Sequence, residues 1–374
     1  MRFTLLAVFA IMAAYAIWQS PRNWRDTPLK KLVFYGVHAL GFSCLFGLLF
    51  LVCKLESGPL RSAIIYIETA YFAILSYSVI FMFFYQAAYY VTRHLHWPKL
   101  RDIVGDRSQY TCGIFFFVGL YLVCGIFNAN GLNAVYYQLS VPSQQASENG
   151  MRVAIVSDLH IGGGADSTQI DHVVSMLNNN DVDLVALAGD ITDSSSSLAD
   201  IEQLCSALKG VKSRYGIYYV DGNHEVDSDH ALVPHLQEAG VVCLDNEALT
   251  LPNNAVLLAV SSESEGKLDL EQLAEDAGAR PGAPRILMQH RPVHFAESAG
   301  HFDVSLSGHT HGWQAPWLAL LNPFIVDVAY GVRDVGQGST AVVCSGASKW
   351  GFHATWPSLN EVAFVDFTFK DEGR

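Results

Sequence analysis

Apolar residues fall into two regimes along this chain. In the first third they form long stretches at 3–18, 32–53, 63–92 and 112–128, the middle two ample and the outer two barely sufficient for the roughly 20 residues that cross a hydrocarbon core. Beyond them the runs shorten. Ala134–Val141 alternates as a strand, Pro142–Gly150 is a polar linker, and Val153–Val156, Leu184–Leu187, Ile217–Val220, Val256–Val260, Ile286–Met288 and Val304–Leu306 are short, apolar and rich in β-branched residues, as buried strands are. Between them Ile170, Val173, Val174 and Leu177 keep the i, i+3, i+4, i+7 spacing of an amphipathic helix, as do Ile201, Leu204, Cys205 and Leu208. Later strands at Ile325–Val328, Ala341–Val343 and Val362–Phe367 lack long intervening helices, which suits a second sheet packed on the first. The expected fold is α/β, a two-sheet β-sandwich flanked by helices over 151–374. It follows an all-α membrane block of about four transmembrane helices over 1–128, and 129–150 supplies a first strand and linker.

Charge sharpens the division. Residues 1–149 hold 11 Lys and Arg against 6 Asp and Glu, whereas the remainder holds 12 against 30, so the net charge of −13 hides a basic membrane block and an acidic domain. An acidic field repels a phosphate backbone, so nucleic acid is not an expected partner; the bilayer is. The loops 19–31 and 93–110 carry eight basic residues, against only Arg2, Lys54 and Arg61 on the opposite side. With four spans, that excess places both loops in the cytoplasm and the acidic domain outside it, in a multi-pass protein of the inner (cell) membrane. Segment 3–18 has a second reading as a signal peptide, with Arg2 before a short apolar core and Ala14-Tyr15-Ala16 resembling a cleavage site, although Trp18, Pro21, Arg22 and Trp24 suit an interfacial anchor better. Glu68 is the one acid inside an apolar stretch; residues 70–91 are long enough to span alone and leave it at headgroup level. Of the seven cysteines, only Cys205, Cys243 and Cys344 belong to the acidic domain, too few and too far apart for a disulfide framework or a zinc–thiolate site.

Five short blocks concentrate the chemistry. They are Ser157-Asp158-Leu159-His160, Gly189-Asp190-Ile191-Thr192-Asp193, Gly222-Asn223-His224-Glu225, Gln289-His290-Arg291-Pro292 and Gly308-His309-Thr310-His311-Gly312. Each follows the end of an expected strand, which points to ligands delivered to a single sheet edge, where open α/β sheets bind them. Imidazole, carboxylate and amide oxygen are borderline-to-hard donors suited to Mn, Fe, Zn or Co, and without thiolate they leave the metal's identity open.

The order of these blocks resembles the calcineurin-like metallophosphoesterase superfamily over roughly residues 133–368, and within it the bacterial branch with N-terminal transmembrane segments. The resemblance implies two adjacent divalent metal ions. Asp158, His160 and His311 would hold one, Asn223, His290 and His309 the other, and Asp190 would bridge them. Such a pair lowers the pKa of a shared water and offsets charge on the attacked phosphate. By the same resemblance His224 is the catalytic histidine, able to protonate a leaving oxygen, with Glu225 or Asp193 to orient it.

The expected function is therefore that of a membrane-anchored, metal-dependent phosphoric ester hydrolase. Its partner would be a phosphorylated substrate, a phosphomonoester, phosphodiester or pyrophosphate. Trp313, Trp317, Leu320, Leu321 and Phe324 follow the last metal block as an apolar segment too short to span; they read either as core or as a lip that touches the bilayer and a lipid-linked substrate. Two alternatives stand beside this: a UDP-diacylglucosamine-type pyrophosphatase on the cytoplasmic face, and a non-catalytic metal-bearing receptor or transport-associated protein. Arg291 has two readings, a phosphate clamp or the start of a helix. His353 is a candidate substrate contact, whereas His172, His230, His235 and His301 are expected at the surface. Two departures from the family pattern, Trp313 after Gly312 and the aromatic stretch 346–357 with Trp350, Phe352 and Trp356, bear on the substrate rather than on the metals.

The excess of basic residues in loops 19–31 and 93–110 makes topology testable. A reporter that folds only outside the cytoplasm should be active when fused after Arg374, and a cysteine label placed in the 93–110 loop should be shielded in intact cells. An active cytoplasmic reporter at the same position would reverse the assignment.

Overall fold

Strands that are apolar on both faces need cover on both faces, and the C-terminal part of the chain is arranged to supply it. The computed structural model describes residues 10–14, 17, 26–50, 59–95, 107–143, 145–193, 196–226, 232–312, 314, 325–350, 353–356 and 358–370. They divide into one unit of residues 1–126 with 352–354 and a second of 127–351 with 355–374.

The second unit holds two six-stranded mixed sheets. In the first the order is β1 (Asn133–Pro142), β12 (Glu361–Lys370), β2 (Gly150–Val156), β3 (Leu184–Ala188), β4 (Gly216–Val220) and β5 (Val242–Cys243). In the second it is β10 (Gly331–Gly336), β11 (Ser339–Val343), β9 (Val304–Ser307), β8 (Arg285–Gln289), β7 (Val256–Val260) and β6 (Glu247–Thr250). Strands β2 to β5 run parallel, as do β7, β8, β9 and β11; β12 pairs antiparallel with β2 and parallel with β1.

Period-two alternation assigns each side chain to a layer. Val153, Ile155, Leu184, Ala186 and Val220 of the first sheet meet Leu257, Ala259, Ile286, Met288 and Leu306 of the second in the central core. The intervening residues Ala154, Val156, Val185, Leu187 and Tyr219 face outward under α4 (Ser167–Asn178) and α5 (Leu198–Leu208), which bury Ile170, Val173, Leu177, Ile201, Leu204 and Leu208. Both helices begin as their sequences dictate. The Asp166 side chain accepts from Gln169 N–H, and Ser197 with Asp200 forms a reciprocal capping box. Expected and observed elements coincide over most of this unit. The exception is Ile325–Val328, which forms no strand: Asp327 instead receives the N–H of Phe295 on its side chain and donates its own N–H to the carbonyl of Pro292, while Val326 and Val328 are still buried. The short β5, β6 and β10 carry too little apolar pattern to be read as strands, and β10 is a mostly exposed hairpin partner of β11.

In the first unit, α1 (Pro28–Phe50) and α2 (Pro59–His94) meet where Gly41 abuts the Tyr71 ring, and His38 Nδ1 lies 3.1 Å from the Tyr71 hydroxyl. Helix α3 (Arg107–Ala129) meets α2 through Tyr77 with Tyr121 and Phe81 with Phe117. Phe83, Phe84, Phe116 and Val123 point outward and exposed, as lipid-facing side chains do. Among the described residues one helical stretch, Ala70–His94, is long and apolar enough to cross a membrane, and Phe116–Ala129 is apolar but shorter. The expectation of four spans thus has support here for one of them. Most of segment 3–18 lies outside the described residues.

Candidate metal centre

Five strands carry the candidate ligands past their C-terminal ends: Asp158 two residues after β2, Asp190 two after β3, Asn223 three after β4, His290 directly after β8 and His309 two after β9. They do not share one sheet edge, as expected from sequence. Asp158, Asp190 and Asn223 leave the first sheet, while His290 and His309 leave the second. The short apolar runs were legible one by one, but nothing in them marks which sheet a strand joins.

The loops turn abruptly. Asp158, His160, Asp190, His309 and His311 all have positive φ, between 44° and 71°, and they make up five of the ten described non-glycine residues in that conformation. Each costs about 1–3 kcal/mol, a penalty that Asp and His bear more easily than most residues. Strain is therefore concentrated at the cluster.

Two groups of donor atoms result, Asp158 with His160 and His311, and Asp190 with His290 and His309. In the first, Nε2 of His160 and Nε2 of His311 are 3.3 Å apart, and Asp158 Oδ1 is 3.4 Å from His311 Nε2. In the second, Asp190 Oδ2 is 3.0 Å from His290 Nε2, which is 3.2 Å from His309 Nδ1. Donors bound about 2.1 Å from one ion at angles of 90–110° stand roughly 3.0–3.4 Å apart, which these pairs match, while His160 Nε2 and Asp158 Oδ1 are wider at 4.0 Å. Asp190 Oδ2 is also 4.0 Å from His160 Nε2, which sets it between the two groups.

Hydrogen bonds leave the right atoms free. Asp158 Oδ2 accepts from the N–H of His309 at 2.9 Å and from the Ser157 hydroxyl, while Oδ1 is buried with no hydrogen-bond partner. Asp190 Oδ1 accepts from the N–H of His224 at 2.8 Å, leaving Oδ2 toward the imidazoles. His290 Nδ1 lies 2.9 Å from the carbonyl of Ala188; a carbonyl only accepts, so Nδ1 carries a proton and Nε2 is the atom turned toward Asp190 and His309, the one a bound cation would deprotonate. Asn223 Oδ1 is buried and equally without a partner. Buried acceptors left unbonded cost free energy, and a cation satisfies both. The residues present fit two divalent ions.

Electrostatics agree with that fit. Burial pushes His309 down to about 3, helped by His290, and pushes His311 down to about 4, so both are neutral lone-pair donors at neutral pH. Burial opposes ionisation of Asp190, yet the His290 imidazole holds its carboxyl well below the usual carboxylate range. Burial also opposes a charge on His290, but the Asp190 carboxylate raises it to about 10. The cluster attracts positive charge.

His224 stands at the rim, its side chain 22% exposed, with Nε2 4.0 Å from Asp190 Oδ2 and its ring edge-on to His160 at 5.0 Å. Burial lowers its pKa. The two residues expected to orient it also serve other groups, and Asp193 acts on His224 electrostatically. Glu225 accepts from the backbone N–H groups of Asp190, Thr192 and Gly222 at 2.7–2.8 Å, tying the loops after β3 and β4 together. Asp193 Oδ2 faces His160 Nδ1 at 3.4 Å and so directs Nε2 into the cluster.

Other expectations resolve plainly. Arg291 does not reach toward the cluster: its Nε donates to the buried Glu265 at 2.6 Å and its backbone N–H to the same carboxylate at 2.8 Å. His353 packs on Tyr66, ring centroids 5.4 Å apart. His172 and His301 are exposed and His235 is half-buried; His230 lies outside the described residues, as does the apolar segment 313–324 except Gln314. Trp350 was legible only as part of an aromatic stretch, yet its ring lies 5.4 Å from that of His224.

Close approach at two glycines permits the geometry. A Cβ on Gly308 would strike Ser157 Oγ and Asp158 Oδ2, and one on Gly222 would strike Asp190 Oδ1. Gly308→Ala should therefore displace the Asp158 carboxylate and lower bound metal by about half, read by elemental analysis of folded protein. An unchanged metal content would separate Asp158 from metal binding.

Residues 151–313 match the family described as calcineurin-like phosphoesterase. An uncharacterized metallophosphoesterase from Helicobacter pylori is 26% identical over 59% of this chain and 61% of its own length. A transmembrane protein with metallophosphoesterase domain from Bos taurus is 28% identical over 64% of this chain and 58% of its own. The chain thus spans about three-fifths of the length of these curated relatives. Among solved structures, a dimetal phosphatase from Danio rerio is similar at 12% identity and a TM-score of 0.35, covering 54% of this chain and 88% of that one.

Proposed function

Starting from a chain that carries a calcineurin-like metallophosphoesterase domain, we propose that this protein is a membrane-anchored hydrolase that uses two divalent ions to cleave a phosphomonoester, phosphodiester or pyrophosphate. The observation that carries the reading is the position of Asp190 Oδ2, 3.0 Å from His290 Nε2 in one donor group and 4.0 Å from His160 Nε2 in the other. Asp158, His160 and His311 would hold one ion and Asn223, His290 and His309 the other, with Asp190 placed to serve both. Bound there, the ions supply Lewis-acid polarisation of the phosphoryl group and a more acidic attacking water.

The chain's own part is positioning and proton transfer. The Ala188 carbonyl orients the His290 imidazole through Nδ1, and the Asp193 carboxylate stands 3.4 Å from Nδ1 of His160. Glu225 fixes the loops that present Asp190 and Asn223. His224 is tethered through its backbone to Asp190 and exposes its ring at the rim, where it can protonate a leaving oxygen. A pure binding module needs no such proton donor, which favours turnover. Membrane anchoring is supported by the apolar helix Ala70–His94 and by relatives described as transmembrane proteins, and the distribution of basic residues supports a multi-pass anchor with the hydrolase outside the cytoplasm.

Metal binding and proton transfer separate in two variants. Asp190→Asn should remove most bound metal and essentially all hydrolysis of chromogenic phosphoesters. His224→Ala should keep the metal and lower turnover by roughly 10²–10⁴-fold. Elemental analysis beside kinetics distinguishes them, and full activity of Asp190→Asn would refute the dinuclear reading.

A further inference from the structure

Trp350 lies between β11 and β12, at the mouth of the donor cluster. Its ring centroid is 5.4 Å from that of His224, with the planes inclined by 54°, and 6.5 Å from that of His160. The residue is 40% exposed although the imidazole of His160 beside it is fully covered. An indole gains by leaving water, and this one keeps a partly exposed face beside the donor cluster that a ligand can cover. Its backbone is held from both sides by buried Gln314, whose Oε1 accepts the Trp350 N–H at 3.2 Å and whose Nε2 donates to the Trp350 carbonyl at 3.1 Å. The preceding Lys349 is buried and donates to the carbonyl of Ala129 at 3.2 Å. The indole is thus presented by an anchored backbone.

We propose that Trp350 forms the wall of the leaving-group side of the site and gives the enzyme a preference for phosphoesters with a flat, apolar leaving group, an aryl group. The proposal rests on the phosphoesterase reading and on His224 as proton donor. A donor at the leaving oxygen requires the atoms attached to that oxygen to lie next to His224, and among the described residues the indole that meets the His224 ring is that of Trp350. The two rings are too close for a third to slide between them, so the leaving group covers the outer face or edge of the indole. An aryl ring does so with favourable stacked or edge-to-face geometry; a methyl or glycerol group covers little of it. The expected preference is roughly tenfold.

The test measures binding rather than turnover. The full chain in detergent, loaded with Mn²⁺, is titrated calorimetrically with phenylphosphonate and methylphosphonate, which share a charged head and differ in the flat group. Wild type should bind phenylphosphonate roughly tenfold more tightly. Trp350→Ala should bind both alike with unchanged metal content, and Trp350→Phe should keep most of the preference. Equal binding of the two by wild type, or a preference that survives in Trp350→Ala, would overturn the proposal and leave the phosphoesterase reading standing. If Trp350→Ala loses metal, Trp350→Leu, apolar but not flat, carries the same comparison with the same consequence. Failure of metal-loaded wild type to bind either phosphonate would overturn both.

Discussion

Two carboxylates and four imidazoles point their donor atoms at one another over 3.0–4.0 Å at the ends of two sheets, and the C-terminal unit is organised around tolerating that arrangement. The Asp190 carboxylate is offset by the His290 imidazole, but buried acceptors such as Asp158 Oδ1 and Asn223 Oδ1 have no protein partner. A cation in each group would satisfy them. The left-handed backbone at five of the ligating positions is sustained because the sheets behind them are rigid, with Val156, Leu187, Val220, Met288 and Leu306 almost wholly buried beneath the loops.

The sandwich explains how ligands distant in sequence meet. Parallel strands end at the same side, so β2, β3 and β4 of one sheet and β8 and β9 of the other all release their chains toward one place. Stacking the sheets brings two of the five loops across the core interface. Glycines at 222 and 308 then let neighbouring loops approach within the radius of a side chain. Small distances at the centre are thus inherited from strand register, and the backbone bonds of Glu225 and Asp193's contact with His160 refine them.

Much of this is legible in the sequence, because strand cores announce themselves through β-branched runs and ligands follow them at short offsets. Val256–Val260 coincides with its strand, and β2, β3, β4, β8 and β9 enclose the runs that pointed to them. What a run cannot encode is its partner: nothing in Ile286–Met288 says that it lies in a different sheet from Val153–Val156. Ile325–Val328 has strand-like composition and is buried, but its ladder positions are taken by Asp327 bonding to Phe295 and Pro292. The outer partners were the least visible. Glu265 is 26 residues from Arg291 and Asp193 is 33 from His160, and Trp350 reaches His224 only through the fold.

The central claim is that two ions sit together in one centre rather than one ion alone. Mn²⁺-loaded protein examined by electron paramagnetic resonance tests it most directly, since two such ions roughly 3.5–4 Å apart and bridged by Asp190 are exchange-coupled. The account predicts a multiline spectrum of a coupled pair at two equivalents per chain. An uncoupled six-line signal that saturates at one equivalent would contradict it.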